Sequence, residues 1–202
     1  MGASQTSCLC EVKADTKGID GVSNSMKVIE DYFEARIDEI GRKLLEGNRS
    51  IFDFVDMAVV IGALANMTDT RTNNTDTDQY IDFVKSELIS LSESQADVVA
   101  TAFYCLMRCG LVHEMSLGGH NIRPVRQQVI NGYSISITHD KSSDGNWYSI
   151  DTSVKGIVFY AHELLSALKS CVAKCFNDTS NLFGVIRSKI HSPKGIKIVG
   201  VK

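Results

Sequence analysis

An arginine and a histidine stand five positions apart at the end of a long apolar segment. They are Arg108 and His113, in the run RCGLVHE of residues 108–114. A histidine titrates near neutral pH and can take the proton from a ribose 2′-hydroxyl, whose oxygen then attacks the adjacent phosphorus. An arginine presents a planar fork of donors that stabilises negative charge growing on the phosphate. The two residue types therefore suit metal-independent cleavage of RNA.

The spacing of this pair limits how one chain can use it. On an ideal helix, Arg108 and His113 lie about 140° apart around the axis and about 7.5 Å apart along it. They share one face only if the helix frays near Gly110, or they form a combined site where two helix ends meet across a two-fold axis. Residue types alone favour a structural role, with Arg108 capping carbonyls or pairing with an acid and His113 stabilised at a helix C-terminus.

The same run resembles the Arg-x4-His segment of the HEPN superfamily, many of whose members are metal-independent RNA endonucleases. The resemblance covers residues 24–176 in helix order and is specific only around this segment. It implies Arg108 as the phosphate-stabilising group, His113 as the general base and a homodimeric site, as in toxin or defence systems. Active members usually place a polar residue, often Asn or Asp, directly after the arginine, where this chain has Cys109. The alternative is a non-catalytic HEPN-like interaction or scaffold domain in which Arg108 and His113 are structural.

A basic loop follows the motif and is the candidate substrate-binding segment. It contains His120, Arg123 and Arg126, which could contact a phosphate backbone; a plain surface loop is the alternative. Residues 1–100 hold 9 lysines and arginines against 18 aspartates and glutamates, whereas residues 101–202 hold 12 against 6. A basic half can hold an anionic partner such as RNA. It can equally pack beside the acidic half.

The six cysteines raise the question of a metal site. They are Cys8, Cys10, Cys105, Cys109, Cys171 and Cys175. The last four fall in helical patterns, which is untypical of a disulfide-stapled secreted domain, so we predict reduced cysteines and a cytoplasmic protein. Cys105, Cys109 and His113 follow i, i+4, i+8 spacing and could bind zinc with the other pair. Core packing of the four cysteines is favoured over a metal site, because mid-helix pairs are poor zinc ligands.

The elements that must position these residues are mostly helices. Apolar residues from Met26 to Leu44 recur at spacings of three and four, which predicts a long amphipathic helix starting at Asn24. Ser50 with Asp53 starts a second helix that is apolar nearly all round and therefore central. Thr77 can cap a third helix. A fourth begins with the capping-box pattern of Ser92 to Gln95 and runs to about His113.

The period then changes from helix to strand. Tyr133, Ile135 and Ile137 alternate with polar residues, the sequence Asp-Gly-Asn at 144–146 supplies a turn, and residues 147–150 return. This pattern predicts a β-hairpin at about 128–151. A fifth helix is predicted from Ile157 to Cys175, followed by a weaker one at 182–190.

The predicted fold class is therefore mainly α, a HEPN-like helical bundle with an inserted β-hairpin. Residues 1–23 form a disordered N-terminal tail, 24–190 a single domain and 191–202 a basic C-terminal tail. No apolar run approaches the roughly 18 residues of a membrane span, so none is predicted. The chain has no P-loop, dinucleotide fingerprint or serine-nucleophile elbow, and we predict no cofactor and no metal. The predicted partners are RNA and a second copy of the chain.

Overall fold

The computed structural model describes residues 19–47, 50–71, 76–107 and 129–191. Within these ranges the chain forms six α-helices and one three-stranded sheet. The helices are α1 (Ile19–Leu45), α2 (Ile51–Thr68), α3 (Asp76–Phe83), α4 (Glu93–Phe103), α5 (Ala161–Phe176) and α6 (Asn181–His191). The strands are β1 (Ser134–Thr138), β2 (Tyr148–Asp151) and β3 (Gly156–Tyr160). The prediction of a mainly helical fold is confirmed, while its likeness to HEPN bundles stays a prediction.

Helices α1 and α2 are consecutive in the sequence and pack against each other as a helical hairpin. The predicted apolar face of α1 is buried along its length, at Met26, Ile29, Phe33, Ile37, Ile40 and Leu44. α1 begins at Ile19, five residues before the predicted start, so part of the predicted N-terminal tail is helical. It ends at Leu45, and Gly47 then takes a positive φ of 75°, as expected for a helix stop.

Helix α2 begins as the sequence predicts. Ser50 is its N-cap, the Ser50 hydroxyl accepts from the backbone N–H of Phe52, and the Asp53 carboxylate accepts from the N–H of Ser50. α2 contacts α1, α3, α5 and α6, which confirms its central position. Of the helices in the described ranges, α2 is long and apolar enough to cross a membrane; core helices of soluble proteins meet the same criterion. The prediction that the chain has no membrane span therefore stays a prediction.

Two predicted helices are interrupted by π-helical turns. α3 continues into a π-turn at Val84–Leu88, and α4 continues into another at 104–107. α4 starts after Ser92, but the Ser92 hydroxyl bonds to the Gln95 side chain and no side-chain hydrogen bond caps this described helix end. The predicted capping box of α4 is therefore wrong. Thr77 lies inside the first turn of α3 and does not precede it.

The sheet corrects the predicted β-hairpin at 128–151. β1 pairs in parallel with β3, β2 pairs antiparallel with β3, and the strand order is β1-β3-β2. The two strands of the predicted hairpin are thus separated by β3. This strand contains Ile157, which the apolar periodicity places in the fifth helix. Ile157 lies four positions before Ala161, so a helical spacing runs unbroken across the strand–helix boundary. The actual hairpin joins β2 to β3, and its turn places Lys155 at a φ of 51°.

Candidate functional site

The predicted catalytic and substrate-binding residues lie outside the described part of the chain. These are Arg108, His113, His120, Arg123 and Arg126, and Cys109 lies outside it with them. What the structure describes is the helix that leads to the motif. The π-turn at 104–107 follows α4 directly, and its last described residue, Met107, immediately precedes Arg108. Met107 is fully buried, so the chain reaches the motif from the interior of the bundle.

Tyr104 anchors this π-turn to α3. Its hydroxyl forms a 2.8 Å hydrogen bond with the Thr77 hydroxyl, and its ring meets Tyr80 edge-on at 5.4 Å between ring centroids. The Tyr80 ring in turn stacks on Phe103 at 6.4 Å. The remaining residues of the π-turn are buried as well. The segment just before Arg108 therefore has a fixed position, as a precise site requires.

One tryptophan connects the end of α4 to the π-turn that follows α3. The Trp147 ring contacts Phe103, the last residue of α4, at 5.2 Å between ring centroids, and stacks on Phe159 at 5.7 Å. Its indole nitrogen donates a 2.6 Å hydrogen bond to the carbonyl oxygen of Leu88, which ends the first π-turn. π-turns inside helices are rare and frequent at functional sites. The Arg-x4-His motif thus follows directly after a π-turn, an element that is often found at functional sites.

A histidine–carboxylate pair was missed by the sequence reasoning. The Nε2 atom of His139 lies 3.2 Å from the Ser50 carbonyl oxygen and 3.3 Å from Oδ2 of Asp53, which is buried. Since a carbonyl oxygen only accepts, Nε2 carries a proton and donates. Through these hydrogen bonds, His139 connects the end of β1 to the start of α2. Its ring also meets Phe54 edge-on, at 5.6 Å between centroids.

The loop after His139 makes a second attachment, to the start of α5. The backbone N–H of Ser142 donates to Oε1 of Glu163, which lies in the first turn of that helix. One loop thus joins the N-terminal ends of α2 and α5 at the carboxyl ends of the parallel strands β1 and β3. The period-2 pattern of β1 gave a signal for the strand, but its pairing with β3 was needed to place this loop.

A polar cleft of about 250 Å³ lies beside the C-terminal end of α2. Its charged lining residues are Asp69, Arg71, Asp82 and Glu87. Arg71 pairs with both aspartates at 2.8 Å, and Lys174 pairs with Glu87 at 2.6 Å, so opposite charges within the protein partner every carboxylate. Burial raises the pKa of Asp69, but hydrogen bonds from the Arg71 side chain and backbone outweigh it and leave that pKa below its ordinary value. Because its charged side chains form ion pairs within the protein, we assign these ion pairs a structural role.

The described cysteines pack in the core, as predicted. Cys105, Cys171 and Cys175 are buried members of the hydrophobic core. A hydrogen bond with Cys175, together with burial, raises the pKa of Cys171 and makes its thiolate unfavourable. Within the described ranges, no three histidine, cysteine or acidic side chains form a group that could hold a metal ion.

Comparison of this chain with protein-family models, with curated proteins and with solved structures gave no match. The candidate site therefore depends on the residue types of the motif and on the described helix that precedes it.

Proposed function

We propose that this chain is a HEPN-like RNA-binding protein that cleaves RNA without a metal ion at Arg108 and His113. The observation that carries the proposal is the position of the Arg-x4-His run. It begins directly after a buried helix whose last described turn is a π-turn held by Tyr104. The basic character of residues 101–202 adds electrostatic attraction for a polyanion.

The proposed chemistry needs one base and one cation. His113 takes the proton of a ribose 2′-hydroxyl, and the oxygen attacks the adjacent phosphorus while the bond to the 5′-oxygen breaks. Arg108 donates hydrogen bonds to the phosphate oxygens as charge grows on them. The products are a 2′,3′-cyclic phosphate and a 5′-hydroxyl, whose oxygen takes its proton from solvent. On an ideal helix the two side chains would lie about 140° apart, so the proposed site combines Arg108 and His113 from two copies of the chain.

The test is an RNA cleavage assay on the full chain with and without EDTA. We expect the wild type to cut RNA in both conditions, and His113→Ala to lower the rate by a factor of about 100 to 10,000. Arg108→Ala should lower the rate as well. His162→Ala is the matched control, because His162 lies on α5 and its substitution should leave the rate unchanged. Cleavage that needs a divalent metal, or that survives His113→Ala, would contradict the proposal.

The second candidate is a non-catalytic interaction domain of the same fold. Cys109 favours it, because active members of the resembled superfamily usually carry a polar residue, often Asn or Asp, after the arginine. In that case the wild type cuts no RNA, and both substitutions in the motif lower the thermal stability of the chain. Circular dichroism of Arg108→Ala and His113→Ala therefore accompanies the cleavage assay.

A further inference from the structure

The polar cleft beside the C-terminal end of α2 contains a carboxylate that uses only one of its two oxygens. Oδ1 of Asp69 accepts hydrogen bonds from the side chain and from the backbone N–H of Arg71, at 2.8 and 3.2 Å. Oδ2 of Asp69 is buried and has no hydrogen-bond partner among the described residues. The whole Asp69 side chain is only 7% exposed. A buried acceptor of this kind favours any group that can donate a hydrogen bond to it.

Four helical segments form the walls of this cleft. Beyond Asp69, Arg71 and Asp82, its lining includes Ala65 and Thr68 from α2, Gln79 and Phe83 from α3, Ser86 and Glu87 from the π-turn at Val84–Leu88, and Leu182 from α6. π-turns are frequent at functional sites, and pockets for small molecules often form between helices. The cavity volume of about 250 Å³ lies below the roughly 300 to 1,000 Å³ of pockets for drug-sized ligands, so a ligand with few heavy atoms fits it.

Three carboxylates and one cation line the cleft. Asp69, Asp82 and Glu87 are acidic, and Arg71 is the basic residue of the lining. Arg71 pairs with both Asp69 and Asp82 at 2.8 Å, while Lys174, outside the lining, pairs with Glu87 at 2.6 Å. One guanidinium thus serves two carboxylates, which leaves this ion-paired group with one net negative charge.

Lys189 of α6 adds a positive charge near Asp69, but it is engaged at the end of α2. Its ammonium donates a 2.5 Å hydrogen bond to the carbonyl oxygen of Asn66. Carbonyls in the last turn of a helix carry partial negative charge, which this ammonium offsets. With Lys189 included, three cations balance three carboxylates. A further cation is therefore favoured only where one of the three moves away.

Arg71 is the group that a ligand would displace at Asp69. The Arg71 side chain is 48% exposed, so it can turn outward and exchange its ion pairs for hydration at small cost. Both oxygens of Asp69 can then accept hydrogen bonds from a ligand. The cleft also regains a net negative charge, which attracts a cation.

We propose that the cleft binds a small primary ammonium ion, the protonated form of a short alkylamine, whose N–H groups donate to Asp69 in place of Arg71. An ammonium group is a compact charge with three donors, so it can satisfy Asp69 and neighbouring acceptors together. The C-terminal end of α2 favours a cation at this position. Ala65, Phe83 and Leu182 offer apolar surface to the alkyl chain. This site lies on described helices and does not depend on the RNA-binding proposal.

The test is an NMR titration of the full chain with butylamine at about pH 7, where the amine is protonated. We expect saturable shifts of backbone amide signals confined to residues 68–71 and 79–87. They should report one site per chain and a dissociation constant on the order of 1 mM. Tetramethylammonium is the control ligand, because it carries the same charge but no N–H donor. It should give no saturable shift in these residues.

Two substitutions should change the affinity for butylammonium in opposite directions. Asp69→Asn removes the anionic acceptor and should weaken binding at least about tenfold. Arg71→Gln removes the internal competitor and should strengthen binding on the order of tenfold. Asp38→Asn is the matched control, because Asp38 is an acid on α1 that is 75% exposed and pairs with Lys169. That variant should bind as tightly as the wild type.

Ser86→Leu tests the location of the site if circular dichroism shows that Asp69→Asn does not fold. Ser86 is exposed on the π-turn and lines the cleft, so leucine adds bulk there and leaves the ion pairs in place. The variant should bind butylammonium at least about tenfold more weakly. Three results would overturn the proposal. They are a wild type without saturable shifts up to about 20 mM amine, equal shifts with tetramethylammonium, and weaker binding by Arg71→Gln than by the wild type.

Discussion

The indole nitrogen of Trp147 donates a 2.6 Å hydrogen bond to the carbonyl oxygen of Leu88, in the aromatic cluster of Phe103 and Phe159. Leu88 is the last residue of the π-turn after α3. Carbonyl groups at the end of a helix have no partner within it, so the tryptophan supplies one from a distant part of the sequence. This bond therefore ties the residue just before β2 to the end of the π-turn after α3.

Trp147→Phe should destabilise the fold by about 2 to 4 kcal/mol. The substitution leaves the buried Leu88 carbonyl unpaired and opens a small cavity among the aromatic rings. Urea unfolding followed by circular dichroism measures the change, since Trp147 is the only tryptophan and its fluorescence is lost with it. A decrease below about 0.5 kcal/mol would show that water replaces the indole at Leu88.

The helices were predictable from the sequence because their causes are local. The buried face of α1 follows a spacing of three and four residues, and Gly47 marks its end. The sheet was predictable only in part. Ile157 fits a helical period with Ala161, and only pairing with β1 and β2 shows that it belongs to a strand. Strand pairing connects residues far apart in the sequence, and periodicity carries no information about it.

Replacing the N-cap residues Ser50 and Ser92 with alanine should lower the free energy of unfolding by unequal amounts. The Ser50 hydroxyl accepts a hydrogen bond from the backbone N–H of Phe52, whereas the Ser92 hydroxyl bonds to the Gln95 side chain. We expect Ser50→Ala to lower the free energy of unfolding by about 1 kcal/mol. Ser92→Ala, the matched control, should change it by less than about 0.5 kcal/mol. Thermal or urea unfolding compares them, and equal losses would show that the Ser50 hydroxyl contributes nothing as a cap.

The N-terminal end of α2 also shows which polar contacts the sequence can predict and which it cannot. Ser50 and Asp53 form a capping box three residues apart, and the sequence predicts it directly. The third member, His139, is 86 positions away from Asp53 and reaches it only because β1 ends beside α2. A lone histidine after a strand gives no sequence signal for such a partner. The motif at 108–113 can be recognised from the sequence, because the residues that resemble a known segment are close together in the chain.

Arg71→Gln should destabilise the protein at neutral pH and lose this effect in acid. Arg71 holds the pKa of Asp69 below its ordinary value of 3.8, and the Asp69 side chain is only 7% exposed. A carboxyl whose pKa is lowered by folding stabilises the fold above its unfolded pKa and loses that contribution as the pH falls through its folded pKa. We expect a loss of about 1 kcal/mol at pH 7 that diminishes as the pH falls through the folded pKa of Asp69.

The matched control for Arg71 is Arg42→Gln on α1. Arg42 pairs with Glu46, and both side chains are exposed, so the pair should contribute less than about 0.5 kcal/mol at any pH. Unfolding midpoints from pH 2.5 to pH 7 compare the two variants with the wild type. A loss in Arg71→Gln that is constant over this range would assign the effect to packing of the side chain and not to charge.

Cys171→Ala and Cys175→Ala should each lower the free energy of unfolding by about 1 kcal/mol. Both thiols are buried in the core, and removing the sulfur leaves a small cavity. EDTA should not change the unfolding midpoint of the wild type, and Cys171 should react slowly with thiol reagents because burial and Cys175 raise its pKa. Cys8→Ala is the control in the predicted tail and should have no effect. Unfolding by a chelator would support the zinc alternative.

Arg123→Ala and Arg126→Ala should weaken RNA binding without a preference for sequence. If each arginine neutralises one phosphate, removing it reduces the number of counterions released on binding. The slope of log K against log salt concentration should then become shallower by about 0.7 per arginine on single-stranded RNA. Arg42→Ala is the matched control, an exposed arginine on α1 in the acidic half of the chain, and should leave the slope unchanged. Fluorescence anisotropy with a labelled oligonucleotide between 50 and 300 mM salt measures all three. Equal slopes for the wild type and both loop variants would show that residues 120–126 do not contact RNA. The cleavage assay on His113→Ala would still test the motif separately.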